Sequence, residues 1–358
     1  MSKNNFSIAK SKLKIATTLF VILWIASCTA DKSKNIPDVS DIDANLDIIR
    51  TEELIFSGDS TTMEQILTSF NASFPVFSGL YFEQILGFRA QEGEKINLAE
   101  EVLKMKKDRG ITFLLDTTAV VFSDFDLIRK DLEQSFQFYH HYFPERNKPA
   151  IYTLISEYAH QVFLFSDSNG RDAVGLGLDL FLGDFNYKQI APENPSFSAY
   201  ITRSFNKEHI SKKVMEVLID DMLPVNPGNR LLDHIVQNGK KLYILEKLLP
   251  YASDTIIHEY TQDQMDWVNE NELNIWVHLL DNDLLYSTKS RDYFKLINPS
   301  PSSPGMPPKS PGRAANWMGY KIVKKFMEKN DDFSLQELIL IKDAQFLLED
   351  SKYKPPRR

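Results

Sequence analysis

Between residues 150 and 183 the chain gathers β-branched and aromatic residues at strand-like density. Almost everywhere else its apolar residues recur at helical spacing. That contrast limits the fold more than any other feature. Ala150-Ile151-Tyr152-Thr153-Leu154-Ile155-Ser156 and Gln161-Val162-Phe163-Leu164-Phe165 have the composition of strands. Asp167-Ser168-Asn169-Gly170 has the composition of a turn, and residues 173–183 follow as a further strand running into a loop. Segments so close in sequence pair most simply as a small antiparallel sheet. Helical spacing runs through residues 61–71, 96–108 (ending at Gly110), 123–143, 209–222, 230–248, 261–280, 314–329 and 334–349. The expected architecture is α+β, a mostly helical single domain carrying that sheet.

The helical faces read as core. Leu127, Leu132, Phe136, Tyr139 and Phe143 fall near one face of 123–143, which Pro144 stops. Leu232, Ile235, Val236, Gly239, Leu242 and Tyr243 form the stripe of 230–248. Thr261-Gln262-Asp263-Gln264 is a capping box that starts a helix at Thr261. Residues 299–312 hold too many prolines for a helix or a central strand. The helix after them carries an apolar face that needs a core, so the stretch reads as an ordered excursion within one domain. Ser310 is its expected N-cap and Pro311 its first helical residue.

At the N-terminus, Lys3, Lys10, Lys12 and Lys14 precede an apolar run from Ile15 to Ile25. At roughly eleven residues the run is short for a membrane span, which needs about 20. It has the layout of a secretory signal peptide. The run ends Ile25-Ala26-Ser27-Cys28, which resembles a bacterial lipobox, and Cys28 is the expected site of lipidation. Residues 1–27 are then a lipoprotein signal peptide, 28–42 a polar tether and 43–358 a single globular domain. Loss of that leader, with its four lysines and no acidic residue, leaves 331 residues at about −12, starting from 358 at −8. Several acyl chains at Cys28 anchor a protein to a membrane far more firmly than one. With one cysteine there is no disulfide framework and no Cys-cluster metal site. The acidic balance argues against nucleic-acid binding, which needs clustered Lys and Arg.

Chemistry is sparse. His258-Glu259-Tyr260-Thr261-Gln262 approaches the zinc-peptidase pattern, but Gln262 occupies the second ligand position. The capping box also leaves His258 and Glu259 in the loop before the helix. His140 and His141 are adjacent and diverge by about 100° on a helix, too far to share an ion. His160, His209, His234 and His278 stand alone. No nucleophile elbow or phosphate-binding loop is present. Asp179, Asp184, Asp220, Asp221, Asp281 and Asp283 read as surface carboxylates, and no cofactor is expected. The densest cluster is Arg313, Asn316, Trp317 and Tyr320, at three- and four-residue spacings on one helix face. Two readings stand. Either Arg313 ties the Pro-rich loop to the body with Trp317 in the core, or the four form an interaction surface, for which Arg and Trp are favoured.

These residues, with Ile36-Pro37-Asp38-Val39, Arg50-Thr51-Glu52-Glu53-Leu54-Ile55-Phe56, Gly177-Leu178-Asp179-Leu180-Phe181-Leu182-Gly183, Tyr260-Thr261-Gln262-Asp263-Gln264-Met265-Asp266-Trp267 and Ser310-Pro311-Gly312-Arg313, give a resemblance in order along nearly the whole chain after the tether. The chain resembles the gliding motility-associated lipoproteins of the GldB family of Bacteroidota. The resemblance implies a lipid-anchored cell-envelope protein facing the periplasm, required for gliding in bacteria that run type IX secretion. It implies partners in that machinery and no known reaction. It also implies a distant likeness to predicted zinc peptidases, with 209–222 in place of the metal-binding helix. There Val214-Met215-Glu216-Val217-Leu218-Ile219-Asp220 lacks a histidine pair, which would make the scaffold degenerate and leave Glu216 and Asp220 as remnants. A non-enzymatic gliding component is the reading carried forward. An envelope hydrolase and a periplasmic glycan-binding lipoprotein are the alternatives.

Overall fold

A computed structural model of the chain describes residues 36–89 and 96–357. The expected signal peptide, Cys28 and the tether as far as residue 35 lie outside the described residues. From Val39 on, the described residues form one compact unit; Ile36–Asp38, which falls outside it, is irregular. Val39, within the segment 28–42 expected as tether, is buried.

The body opens with a strap over residues 39–47. Val39 and Leu46 are buried in it. Its carbonyls are pinned by side chains from elsewhere: Gln137 donates to Ile42 at 2.9 Å, Arg129 to Leu46 at 3.3 Å, and Lys148 to Asp43. The strap leads into β1 (Ile48–Arg50), then α1 (Thr51–Phe56), α2 (Met63–Ser73) and α3 (Pro75–Gly79), which continues as a wider turn over Leu80–Ile85. Helices α4 (Leu98–Met105), α5 (Arg109–Val121) and α6 (Asp126–Tyr142) follow. Strands β2 (Ala150–Leu154), β3 (Val162–Ser166) and β4 (Asp172–Gly177) then complete the sheet.

The sheet has four strands in the order β1-β2-β4-β3 and is mixed. Only β3 and β4 pair antiparallel, around the turn at Asp167–Gly170 that the sequence marks. β2 runs parallel to β4 and to β1. This corrects the expected all-antiparallel sheet. The hairpin turns β4 back beside β2, and the helices α1–α6 form the long crossover that a parallel β1–β2 pair requires. The α+β, mostly helical architecture holds.

On one face of the sheet an aromatic cluster forms from Phe70, Phe77, Tyr81, Phe82 and Tyr152, with Phe77 stacked on Tyr152 at 4.7 Å between ring centroids. Beyond β2, Asp179 is fully buried and accepts from the Ser156 amide at 3.1 Å, the Ser156 hydroxyl and the Tyr158 amide. It holds Glu157 and Tyr158, both left-handed, in a tight loop. It is therefore not the surface carboxylate expected. Asp179→Ala should lower stability by about 3 kcal/mol, read from urea unfolding, because buried donors lose their acceptor. A loss below about 1 kcal/mol would show that the loop holds itself.

The rest is helical. After single turns at Tyr187–Ile190 and Ala199–Thr202 come α7 (Ile210–Met222), α8 (Leu231–Leu248) and α9 (Asp254–His258). Then come α10 (Gln262–Glu270), α11 (Glu272–Asp281), α12 (Ser290–Ile297), α13 (Ala314–Lys329), α14 (Leu335–Leu340) and α15 (Ala344–Ser351). None of the described helices is long and apolar enough to cross a membrane. The central crossing is between α8 and α13, where both helices use glycine. A Cβ on Gly239 would lie 2.3 Å from the Gly319 carbonyl carbon, and one on Gly319 would lie 1.7 Å from the Ile235 carbonyl oxygen. The two backbones touch, which brings the first turn of α13 against the middle of α8.

Candidate functional site

Around that crossing five elements wall a recess of about 270 Å³, the end of α12 with Ile297, Asn298 and Pro299 among them. α7 contributes Lys212, Lys213 and Glu216; α8 contributes Asn238, Lys241 and Leu242. The end of α9 contributes His258, Glu259 and Tyr260, and the start of α13 contributes Arg313, Asn316 and Trp317.

Glu259 is the centre of its charges. It caps α9 in a left-handed conformation at φ 52°. The Thr261 capping box with Gln264 starts α10 two residues later, as the sequence indicates. The chain thus turns between two helices at Glu259, and His258 is the last residue of the short α9 rather than a loop residue. Arg313 is also left-handed, at φ 64°, and caps the N-terminus of α13. Non-glycine residues adopt this conformation at about 1–2 kcal/mol each. The two are joined: Arg313 Nη1 lies 3.0 Å from Glu259 Oε2, and Nη2 donates to the carbonyls of His258 and Glu259 at 3.2 and 3.3 Å. Arg313 thereby satisfies the exposed carbonyl end of α9.

The other Glu259 oxygen takes Lys212 Nζ at 2.8 Å and Lys213 Nζ at 2.5 Å. Lys212 also pairs with Glu216 at 2.7 Å, and its side chain is only 2% exposed. Burial works against each charge here, but the pairing decides the outcome for the carboxylates. Burial raises Glu259, yet Lys212, Lys213 and Arg313 hold it well below the ordinary carboxylate range. Glu216, likewise raised by burial, is brought down to about 2 by Lys212 and Lys213. Burial lowers Lys212 despite its two partners. His258 is pushed down to about 3 by burial and then by Arg313, so it is neutral. It sits edge-on to Trp317 and Tyr320, 5.1 and 4.9 Å between centroids.

The four residues singled out on 313–320 therefore share a place but not a surface. Arg313 and Asn316 are partly buried on the recess wall, and Trp317 and Tyr320 are buried. Asn316 accepts from Asn238 and donates to the Ile297 carbonyl, both at 2.9 Å. Tyr320 points elsewhere, donating to Glu246 at 2.7 Å. The Pro-rich stretch is ordered, as expected, but its capping differs. Ser310 does not cap α13; its hydroxyl turns to the Ser303 carbonyl, and Pro311 precedes the helix. Tyr260 donates its hydroxyl to the Gly312 carbonyl at 2.9 Å, which locks the loop onto the recess.

Lys212, Lys213, Asn238 and Lys241 were not legible as site residues. Lys212 carried one signal: it stands three and seven positions before Met215 and Ile219, inside the apolar stripe of α7. Glu216 and Asp220 on α7 both face cations, Glu216 pairing with Lys212 and Asp220 with Lys241, each at 2.7 Å. Among the described residues no group of three or more His, Cys, Asp or Glu is placed to hold a metal ion.

The family described as gliding motility protein GldB matches the chain over residues 32–355. No curated protein and no solved structure matches it.

Proposed function

The chain belongs to the GldB family of gliding motility lipoproteins, and from that premise we propose that it is a lipid-anchored envelope component that works by holding another protein of the gliding and secretion machinery, without catalysis. The observation that supports contact rather than reaction is the state of the recess. Its cations and carboxylates are tied to one another in fixed pairs, and its one imidazole is neutral and packed between aromatic rings. Such a wall is shaped for recognition, since its donors are already in place when a ligand arrives. Arg313, Asn316 and Trp317 act in this reading as wall residues; Tyr320 acts behind them, holding α13 to α8.

The anchor in this reading is Cys28, with residues 1–27 removed and the body on the periplasmic face. Cys28→Ser should abolish incorporation of labelled palmitate and move the protein from the membrane to the soluble fraction. Deletion of the gene should abolish colony spreading. A photocrosslinking residue at Asn298, on the recess wall, should yield a discrete adduct with another envelope protein in living cells, identified by mass spectrometry. A deletion strain that spreads like its parent would remove the gliding role. Palmitate incorporation by the serine variant would remove Cys28 as the anchor, and an absent Asn298 adduct would remove the recess as the contact.

A further inference from the structure

We propose that the recess receives the C-terminal carboxylate of a protein partner; the proposal deepens the contact reading above and rests on it. Charge is the first argument. Lys212, Lys213, Lys241 and Arg313 face Glu216 and Glu259 across the walls. Asp220, just outside, takes Lys241 at 2.7 Å. One positive charge is left over, in a place where burial makes an uncompensated charge costly. Arg203, held by Gln264 and by the Tyr200 carbonyl, adds its field near Arg313 and Glu259. A single negative oxygen group is what the walls lack.

A second observation points the same way. The Trp317 indole Nε1 is buried and has no acceptor, although Trp317 lines the recess and is only 4% exposed. Buried indole N–H groups ordinarily find a partner. Trp317, a wall residue, thus carries a buried donor without an acceptor beside walls that hold one net positive charge.

Size and lining narrow the ligand. About 270 Å³ is below the range of a typical small-molecule pocket, roughly 300–1,000 Å³, and suits an end group. Beside the charged wall lie Leu242, Ile257 and Ile297, which give a last side chain something apolar to meet. A main-chain terminus brings both parts, a monoanion and an adjacent side chain, and capture of a terminal carboxylate is a known mode of peptide recognition. A phosphate would bring up to two charges against the single excess on the walls.

The test uses the full-length protein in detergent and isothermal titration calorimetry with acetyl-Ala-Ala, its C-terminal amide and inorganic phosphate. The acid should bind at least tenfold more tightly than the amide and more tightly than phosphate. Lys213→Gln, at a partly exposed position, should weaken the acid about tenfold, whereas Lys213→Arg should stay within about threefold. Equal binding of acid and amide, no binding of the acid, or tighter binding of phosphate would each overturn the proposal. So would an unchanged affinity in Lys213→Gln with an unchanged unfolding midpoint. If Lys213→Gln does not fold, the acid–amide comparison on the parent decides. The two readings fail separately. An Asn298 adduct in cells with no preference for the acid keeps the contact and removes the carboxylate; binding of the acid without any adduct does the reverse.

Discussion

Gly319→Ala should destabilise the protein by about 3 kcal/mol or more, the upper end of the usual cost of overpacking. The added methyl group would sit 1.7 Å from the Ile235 carbonyl oxygen and 2.4 Å from its carbonyl carbon. Those are backbone atoms of α8, so no rotamer change relieves the clash. The helices must separate, and the crossing that positions Asn238 against Asn316 separates with them. Gly79→Ala supplies the control. Gly79 is helical, at φ −59°, and a Cβ there meets nothing within 4 Å. That change should stabilise by about 0.5–1 kcal/mol, because alanine has less freedom to lose on folding. Denaturant midpoints and slopes compare the variants. A Gly319→Ala protein within about 1 kcal/mol of its parent would show that the crossing adapts.

Glu259→Gln should cost about 3–5 kcal/mol, the range for breaking a buried ion pair by removing one partner. Glutamine keeps the shape and loses the charge that Lys212, Lys213 and Arg313 share. Glu216 remains, but it does not pair with Arg313. The same site governs acid sensitivity. Glu259 and Glu216 are both lower in the folded chain than their ordinary 4.5, Glu216 at about 2. A depressed carboxyl contributes stability that is complete above its unfolded value and is lost as pH falls through its folded value. The parent should therefore lose stability between about pH 4.5 and 2, and Glu259→Gln should show a shallower fall across that window. Parallel pH profiles for the two proteins would refute the assignment of the acid response to this cluster.

Much of the fold was readable because it rests on local pattern. The hairpin β3–β4 is readable from its β-branched and aromatic residues around the turn at Asp167–Gly170, and α8 from its stripe from Leu232 to Tyr243. What misled was punctuation. Gly110 looked like a stop after 96–108, yet the Asp108 carboxylate accepts from the Gly110 and Ile111 amides and starts α5 there. The pattern over 261–280 is two helices meeting at Asn271, and that over 334–349 is also two, the second capped by Asp343. On α6, the spacing places Leu127 with the core, yet it is exposed; Ile128, Leu132, Phe136 and Tyr139 make the buried face. β1 is three residues long, too short for any period, and its pairing with β2 depends on a partner a hundred positions away.

The site was half legible for a related reason. Arg313, Asn316 and Trp317 stood out by residue type and spacing, and they do share one wall. In the sequence Glu259 stands out only as part of an imperfect metal pattern. Its actual partners, Lys212 and Lys213, are 47 and 46 positions earlier, and sequence spacing says nothing about contacts at that range. A lysine in an apolar stripe was the available clue, and its i,i+4 carboxylate Glu216 made it look like an ordinary surface pair.

The strap over residues 39–47 has a mechanical consequence. Any pull that reaches the body from its N-terminal side is borne first by that strap and by the short ladder of β1 on β2. Val39 and Leu46 resist through burial; Gln137, Arg129 and Lys148 act as three separate rivets on its carbonyls. Two of the rivets stand on α6 and one just before β2, so tension is spread over the helical layer and the sheet together. Of the recess walls, α7 and α8 pack against α6, the helix that carries two of the rivets. Load on the strap therefore has a route through α6 to two walls of the recess.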